Sequence, residues 1–185
     1  MKKLATLFQD SYNELKSVKT VTTMAMFAAL GVILGSLTIQ IGDFIKIGFS
    51  TIANQFVYYL FGPAVGCFFG GAMDILKFLI KPTGAFFPGW TFNAMAAGLL
   101  YGCFFYKKKL TIWRVLAAEL TVAVICNMIL GTLWLDIMYG KGFFVLLPMR
   151  VFKNLVMWPV NSFIFHTMVW AMERSGVFRL IRRSA

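Results

Sequence analysis

Apolar runs of up to about 20 residues or more, each closed by lysine, arginine, glycine or proline, leave this chain few folds. They cover approximately residues 21–41, 51–61, 64–80, 90–105, 112–138 and 146–172. Hydrophobic residues make up 59% of the 185, and charged residues 14%. Soluble domains hold roughly 45 to 50% and about 25%. One small soluble core cannot hide that much apolar surface, and 20 phenylalanines among few charges argue against disorder. Six crossings of a bilayer consume about 120 residues, and the polar punctuation supplies the rest. The expected fold class is therefore all-α and integral to the membrane, as one domain over 1–185. It has six transmembrane helices, with Gly62-Pro63 as the tight turn between the second and third.

The net charge of +11 is distributed as orientation rather than as a nucleic-acid surface. Lys2, Lys3, Lys16 and Lys19 precede the first run; Lys107, Lys108, Lys109 and Arg114 lie between the fourth and fifth; Arg174, Arg179, Arg182 and Arg183 follow the last. All fall on one side if both termini are cytoplasmic, and Glu119 is expected on that side with Asp10, Glu14 and Glu173. Residues 1–19 lack the apolar core of a signal peptide. Leu4, Leu7, Phe8, Leu15 and Val18 instead predict a short surface helix. Residues 173–185 read as a cytoplasmic tail. Cys67, Cys103 and Cys126 lie in apolar stretches with no CxxC or histidine partner, so neither a disulfide framework nor a metal site is expected.

Six cations remain for the outer half: Lys46, Lys77, Lys81, Lys141, Arg150 and Lys153. Several fall at membrane depth, where an ionisable side chain calls for a functional reason. Arg150, Lys153, Asn154 and Asn161 share one face of the sixth span, with Trp158 on its margin; Asp74, Lys77 and Lys81 form a second stripe; Trp90 and Asn93 open the fourth span on a common side. Together they describe an outward-facing pocket with excess positive charge, amides and aromatic walls, suited to a flat anionic ligand. The blander alternative is an internal Asp74–Lys77 ion pair, with Arg150 and Lys153 reaching to the headgroups. His166 is expected to be a packed, hydrogen-bonded histidine. The segment from Asp43 to Ser50, with Lys46, and the loop from Lys81 to Gly89, with Phe86 and Phe87, read as gates over the pocket. Ala25 and Ala29 form an AxxxA, and Gly31 and Gly35 a GxxxG, which let another helix approach closely.

No GxxxxGK[ST], HExxH or GxSxG occurs, so neither ATP binding by a P-loop nor hydrolase machinery is evident. No duplicated halves are seen, as many secondary carriers show. A small binding protein that depends on partners fits this pattern. An ion-coupled carrier using Asp74 and Lys77, or a membrane enzyme acting on a lipid, remain the rival classes.

About 180 residues, six spans, the Ala25–Ala29 pair, Leu60-Phe61-Gly62-Pro63 and above all Leu147-Pro148-Met149-Arg150-Val151-Phe152-Lys153-Asn154 resemble the substrate-binding components of energy-coupling factor vitamin transporters, in particular the folate-specific branch. The resemblance implies a multi-pass protein of the prokaryotic cell membrane. It implies no catalysis and no cofactor, with ATP hydrolysis confined to partners: a transmembrane coupling protein and two ATP-binding subunits. It also implies capture of folate from outside, with Ala25 and Ala29 as the docking face. Riboflavin and thiamine are the alternative vitamins. Folate's flat pterin and two carboxylates suit the aromatic rings, amides and cations named above.

Overall fold

A computed structural model describes residues 2–36, 39–41, 45–47, 50–81, 86–140 and 142–175. Asp43, residues 82–85, Lys141, the side chain of Lys46 and residues 176–185 lie outside that description, and with them parts of both expected gates and of the tail. The elements are α1 (Lys2–Glu14), α2 (Val18–Ser36), β1 (Ile39–Ile41), β2 (Ile45–Ile47), α3 (Ser50–Ile80), α4 (Pro88–Phe105), α5 (Ile112–Val122), a π-helical stretch (Ala123–Leu130), α6 (Gly131–Tyr139) and α7 (Phe143–Arg174).

The architecture is helical, with one correction. The first long helix stops at Ser36 rather than Ile41, and a small antiparallel hairpin follows, pairing Ile39 with Ile47, Gln40 with Lys46 and Ile41 with Ile45. β-branched residues alternate with polar ones here, a period of two that suits a strand and not a helix.

Among the described residues, four helical stretches are long and apolar enough to cross a bilayer: 18–35, 50–80, 112–139 and 143–174. Many large apolar side chains point out of the bundle, among them Phe144, Phe152, Phe163, Trp113 and Leu79. Such a surface requires a non-aqueous surrounding.

The stretch from 50 to 80 is not one rod. At Gly62 the backbone turns left-handed (φ 89°) ahead of Pro63, a conformation that only glycine adopts without strain. In a straight helix Tyr58 and Phe69 would stand about 16 Å apart along the axis; their rings are 6.3 Å apart, edge to face. The two arms of α3 therefore fold back on each other, and the turn expected at Gly62-Pro63 is present.

The break is secured from α1. Ser11 is fully buried; its hydroxyl donates to the Phe61 carbonyl (2.6 Å) and accepts from the N–H groups of Ala64 and Val65 (3.1 Å each). A serine at a helix start does the same for its own helix; here it is supplied by another. The expected N-terminal helix thus forms and packs against the bundle. Beside it Lys107 donates to Asp10 at 2.7 Å, which lifts the lysine above its ordinary value.

Among the described residues α3 and α4 make the most extensive helix contact, and the second arm of α3 lies closest to α4 at its glycines. Gly66, Gly70, Gly98 and Gly102 repeat at four-residue spacing on the two helices. A β-carbon on Gly66 would lie 2.6 Å from the Gly98 carbonyl oxygen, and one on Gly98 or Gly70 would strike the carbonyl of Gly66 or Ala94. Backbone meets backbone, as small-residue repeats allow in membrane helices. Around it Tyr58, Tyr101, Phe105 and Phe165 stack in sequence, and Phe56 tilts against Phe165 to close the aromatic core.

Candidate ligand-binding site

The opening of α4 carries the first wall. Phe87 is extended and Pro88 takes the first helical turn, where its fixed φ and missing N–H cost nothing. Gly89 next presents no side chain: a β-carbon there would stand 2.7 Å from the indole of Trp134. Phe87 meets the same indole with ring centroids 5.6 Å apart. Trp90 receives the guanidinium of Arg150 over its ring at 5.8 Å, a cation–π arrangement. One turn further on, Asn93 shares the face of Gly89 and Trp90; its amide oxygen is buried with no hydrogen-bond partner among the described residues.

The second wall is the rod from α5 through α6. Its middle widens to π-helical turns, with the Gly131 N–H bonding back five residues to the Cys126 carbonyl. Such widening often accompanies function. Here it meets α7, as Arg150 donates to the Asn127 carbonyl at 2.9 Å and lies against the bare Cα of Gly131. Trp134, one turn beyond Gly131, therefore faces the same space as Arg150. Its indole N–H is also buried without a partner among the described residues, as is the hydroxyl of Thr132.

Of the residues read from sequence, Trp90, Asn93 and Arg150 come together here. Asn154 turns its amide to the carbonyl of Arg150 (2.9 Å), and Trp158 donates its indole N–H to the Leu116 carbonyl of α5 (2.9 Å). Trp158 is thereby a helix–helix tie. Lys153 is half-buried on the same helix. Asp74 and Lys77 make no ion pair: Asp74 accepts instead from the Thr91 hydroxyl of α4 at 2.8 Å, and among the described residues the salt bridge is Lys107–Asp10. Lys81 is exposed just past the end of α3. Phe86 rests on Phe78 (5.1 Å), and Phe87 on Trp134. Ala25 and Ala29 are exposed along α2. Reading the sequence missed Asn127, Thr132 and Trp134. Asn127 and Thr132 are polar breaks in an apolar run, and Trp134 falls one turn past Gly131, the one signal that pointed to them.

Glu119, counted above with the acids of the cytoplasmic side, is buried between helices, where its carboxylate accepts from the Gln55 amide (2.5 Å) and the Tyr101 hydroxyl (2.7 Å). Two donors from α3 and α4 offset part of the cost of burying it. His166, expected to be hydrogen-bonded, has a buried Nδ1 without a partner among the described residues. The cysteines are free, and no group of metal-ligating side chains occurs among the described residues.

A helical, lipid-facing bundle here gathers a guanidinium, two indoles and the buried Asn93 amide oxygen at one end, an arrangement that suits a small polar ligand. Residues 19–169 match the family model of the ECF transporter substrate-specific component, and the chain belongs to that family. It is 35% identical over 159 residues to the folate transporter FolT of Clostridium novyi (strain NT), covering 85% of this chain and 91% of that one. The folate transporter FolT of Leuconostoc mesenteroides is 32% identical over 144 residues, covering 75% and 77%. Among solved structures, FolT bound with folic acid superposes with a TM-score of 0.74 at 32% identity, over 82% of this chain and 93% of that one. The chain is thus a multi-pass membrane protein whose relatives are transporter components rather than enzymes.

Proposed function

We propose that the protein captures folate at the outer face of a prokaryotic cell membrane and delivers it by docking on a transmembrane coupling protein driven by two ATP-binding subunits. It catalyses nothing itself. The observation that carries this reading is the likeness to the folic acid-bound FolT, joined to a site where Arg150 covers Trp90 near the buried Asn93 amide oxygen and Trp134 indole N–H, neither with a partner among the described residues. In this reading the two arms of α3 and helix α4 each cross the bilayer, giving six crossings with both termini cytoplasmic. Trp90, Asn93, Arg150, Lys153 and Asn154 line the pocket, Asp74 and Lys77 border it, and Trp158 holds its back wall. Lys46, Lys81, Phe86 and Phe87 flank the entrance, and Ala25 and Ala29 meet the coupling protein.

Native mass spectrometry of the detergent-purified chain tests the ligand. A bound mass equal to a folate is expected, and titration with folic acid should give one site and quench tryptophan emission. Heat on adding riboflavin or thiamine, and none with folic acid, would overturn the folate assignment while leaving the family intact.

A further inference from the structure

Among the described residues, three polar atoms at this site are buried without partners, the Thr132 hydroxyl and two that face each other across it: the indole N–H of Trp134 and the amide oxygen of Asn93. An unpaired buried donor or acceptor loses its hydration with nothing in return, so native proteins rarely keep one without a use. Their positions relate them. Trp134 lies on Gly89 and against Phe87, and Asn93 sits one turn along α4 on the Gly89 side. Gly131, one turn before Trp134, touches Arg150, whose guanidinium covers Trp90. The unpaired donor and the unpaired acceptor thus belong to facing helices, α6 and α4, beside the same cation and the same aromatic rings.

We infer that the Trp134 N–H and the Asn93 amide oxygen are the donor and acceptor that read the edge of the ligand's fused heterocycle, making them specificity-determining residues of the pocket. This rests on the folate reading above. A pterin edge presents a ring carbonyl next to a ring N–H, the complement of one donor and one acceptor. The flanking indole and phenyl rings supply flat surfaces for the heterocycle. The carboxylates of the ligand fall to the cations.

The test compares folic acid with pteroic acid, which keeps the heterocycle and lacks the glutamate, by calorimetric titration of the full-length chain in detergent. Trp134→Phe keeps a ring against Phe87 and Gly89 and deletes the N–H; Asn93→Leu deletes the acceptor at similar volume. Each should weaken folic acid about tenfold, and pteroic acid by the same factor. The unliganded melting temperature should hold or rise, because an unpaired group has been removed. If one variant does not fold, the other carries the comparison. Undiminished affinity for folic acid in a folded variant overturns the inference and leaves the folate reading standing. So does a loss for folic acid but not for pteroic acid, which would place these residues at the glutamate. Wild-type protein that binds neither compound overturns both.

Discussion

Arg150 is the residue on which the site turns, because it joins three elements at once: it donates to the Asn127 carbonyl, lies on Gly131 and covers Trp90. Replacing it with alanine should weaken folic acid by about 1.5 to 3 kcal/mol, the scale of a charge-assisted hydrogen bond in a partly desolvated site, measured by titration. Arg150→Lys should recover only part of that, since an ammonium neither stacks flat on an indole nor offers a fork of donors. Lys81→Ala, exposed beyond the end of α3, should change affinity much less. Equal losses at both positions would remove the special place given to Arg150. The Pro148-to-Asn154 segment was legible because an arginine in an apolar helix stands out against its surroundings. Trp134 was not, since an indole in an apolar run looks like any packed aromatic until its N–H is seen to lack a partner. The alternative of an Asp74–Lys77 ion pair shows a related limit of spacing: three residues apart places two side chains on one face but does not say that a neighbouring helix will offer Thr91 to the carboxylate.

At the level of elements, the broken α3 depends on groups outside itself. Ser11→Ala leaves the Phe61 carbonyl and the Ala64 and Val65 N–H groups without their buried partner, and should cost about 1 to 3 kcal/mol of stability, read as a lower melting temperature with folate affinity near wild type. An unchanged melting temperature would mean that water replaces the hydroxyl. The carboxylate of Glu119 similarly ties α5 to α3 and α4. Glu119→Ala strands two buried donors, Gln55 and Tyr101, and should destabilise well beyond Glu119→Gln, which keeps an acceptor for one of them. The Gly62-Pro63 break and the long apolar helices were legible because backbone constraints and transfer energies are local. The burial of Glu119 and the hairpin of residues 39–47 were not: the first depends on which helix comes to face it, and the second on pairing between segments that hydropathy alone treats as the end of a helix.

For the whole molecule, binding and delivery separate physically. The exposed side of α2 carries Ala25 and Ala29, while the pocket residues lie on α4, α6 and α7. Substituting tryptophan at both alanines places two bulky indoles where a partner helix would have to come close. Folic acid affinity of the purified variant should match wild type, whereas ATP-dependent uptake by cells and co-purification with the coupling protein should both collapse. Uptake at the wild-type rate would show that the pair is ordinary lipid-facing surface.

The contact between the second arm of α3 and α4 has a consequence for how such a receptor changes over generations. It is made of absent side chains, so nothing can be trimmed from it and almost nothing added: even one methyl on Gly98 would enter the carbonyl of Gly66. Mutation can explore very little there. Appetite for a different vitamin has to be acquired elsewhere, on the walls of α6 and α7, where side chains exist to be exchanged. A selection for altered ligands from randomised positions should therefore return folded receptors from sites around Trp134 and Arg150, and from Gly66, Gly70 and Gly98 only the glycines it began with.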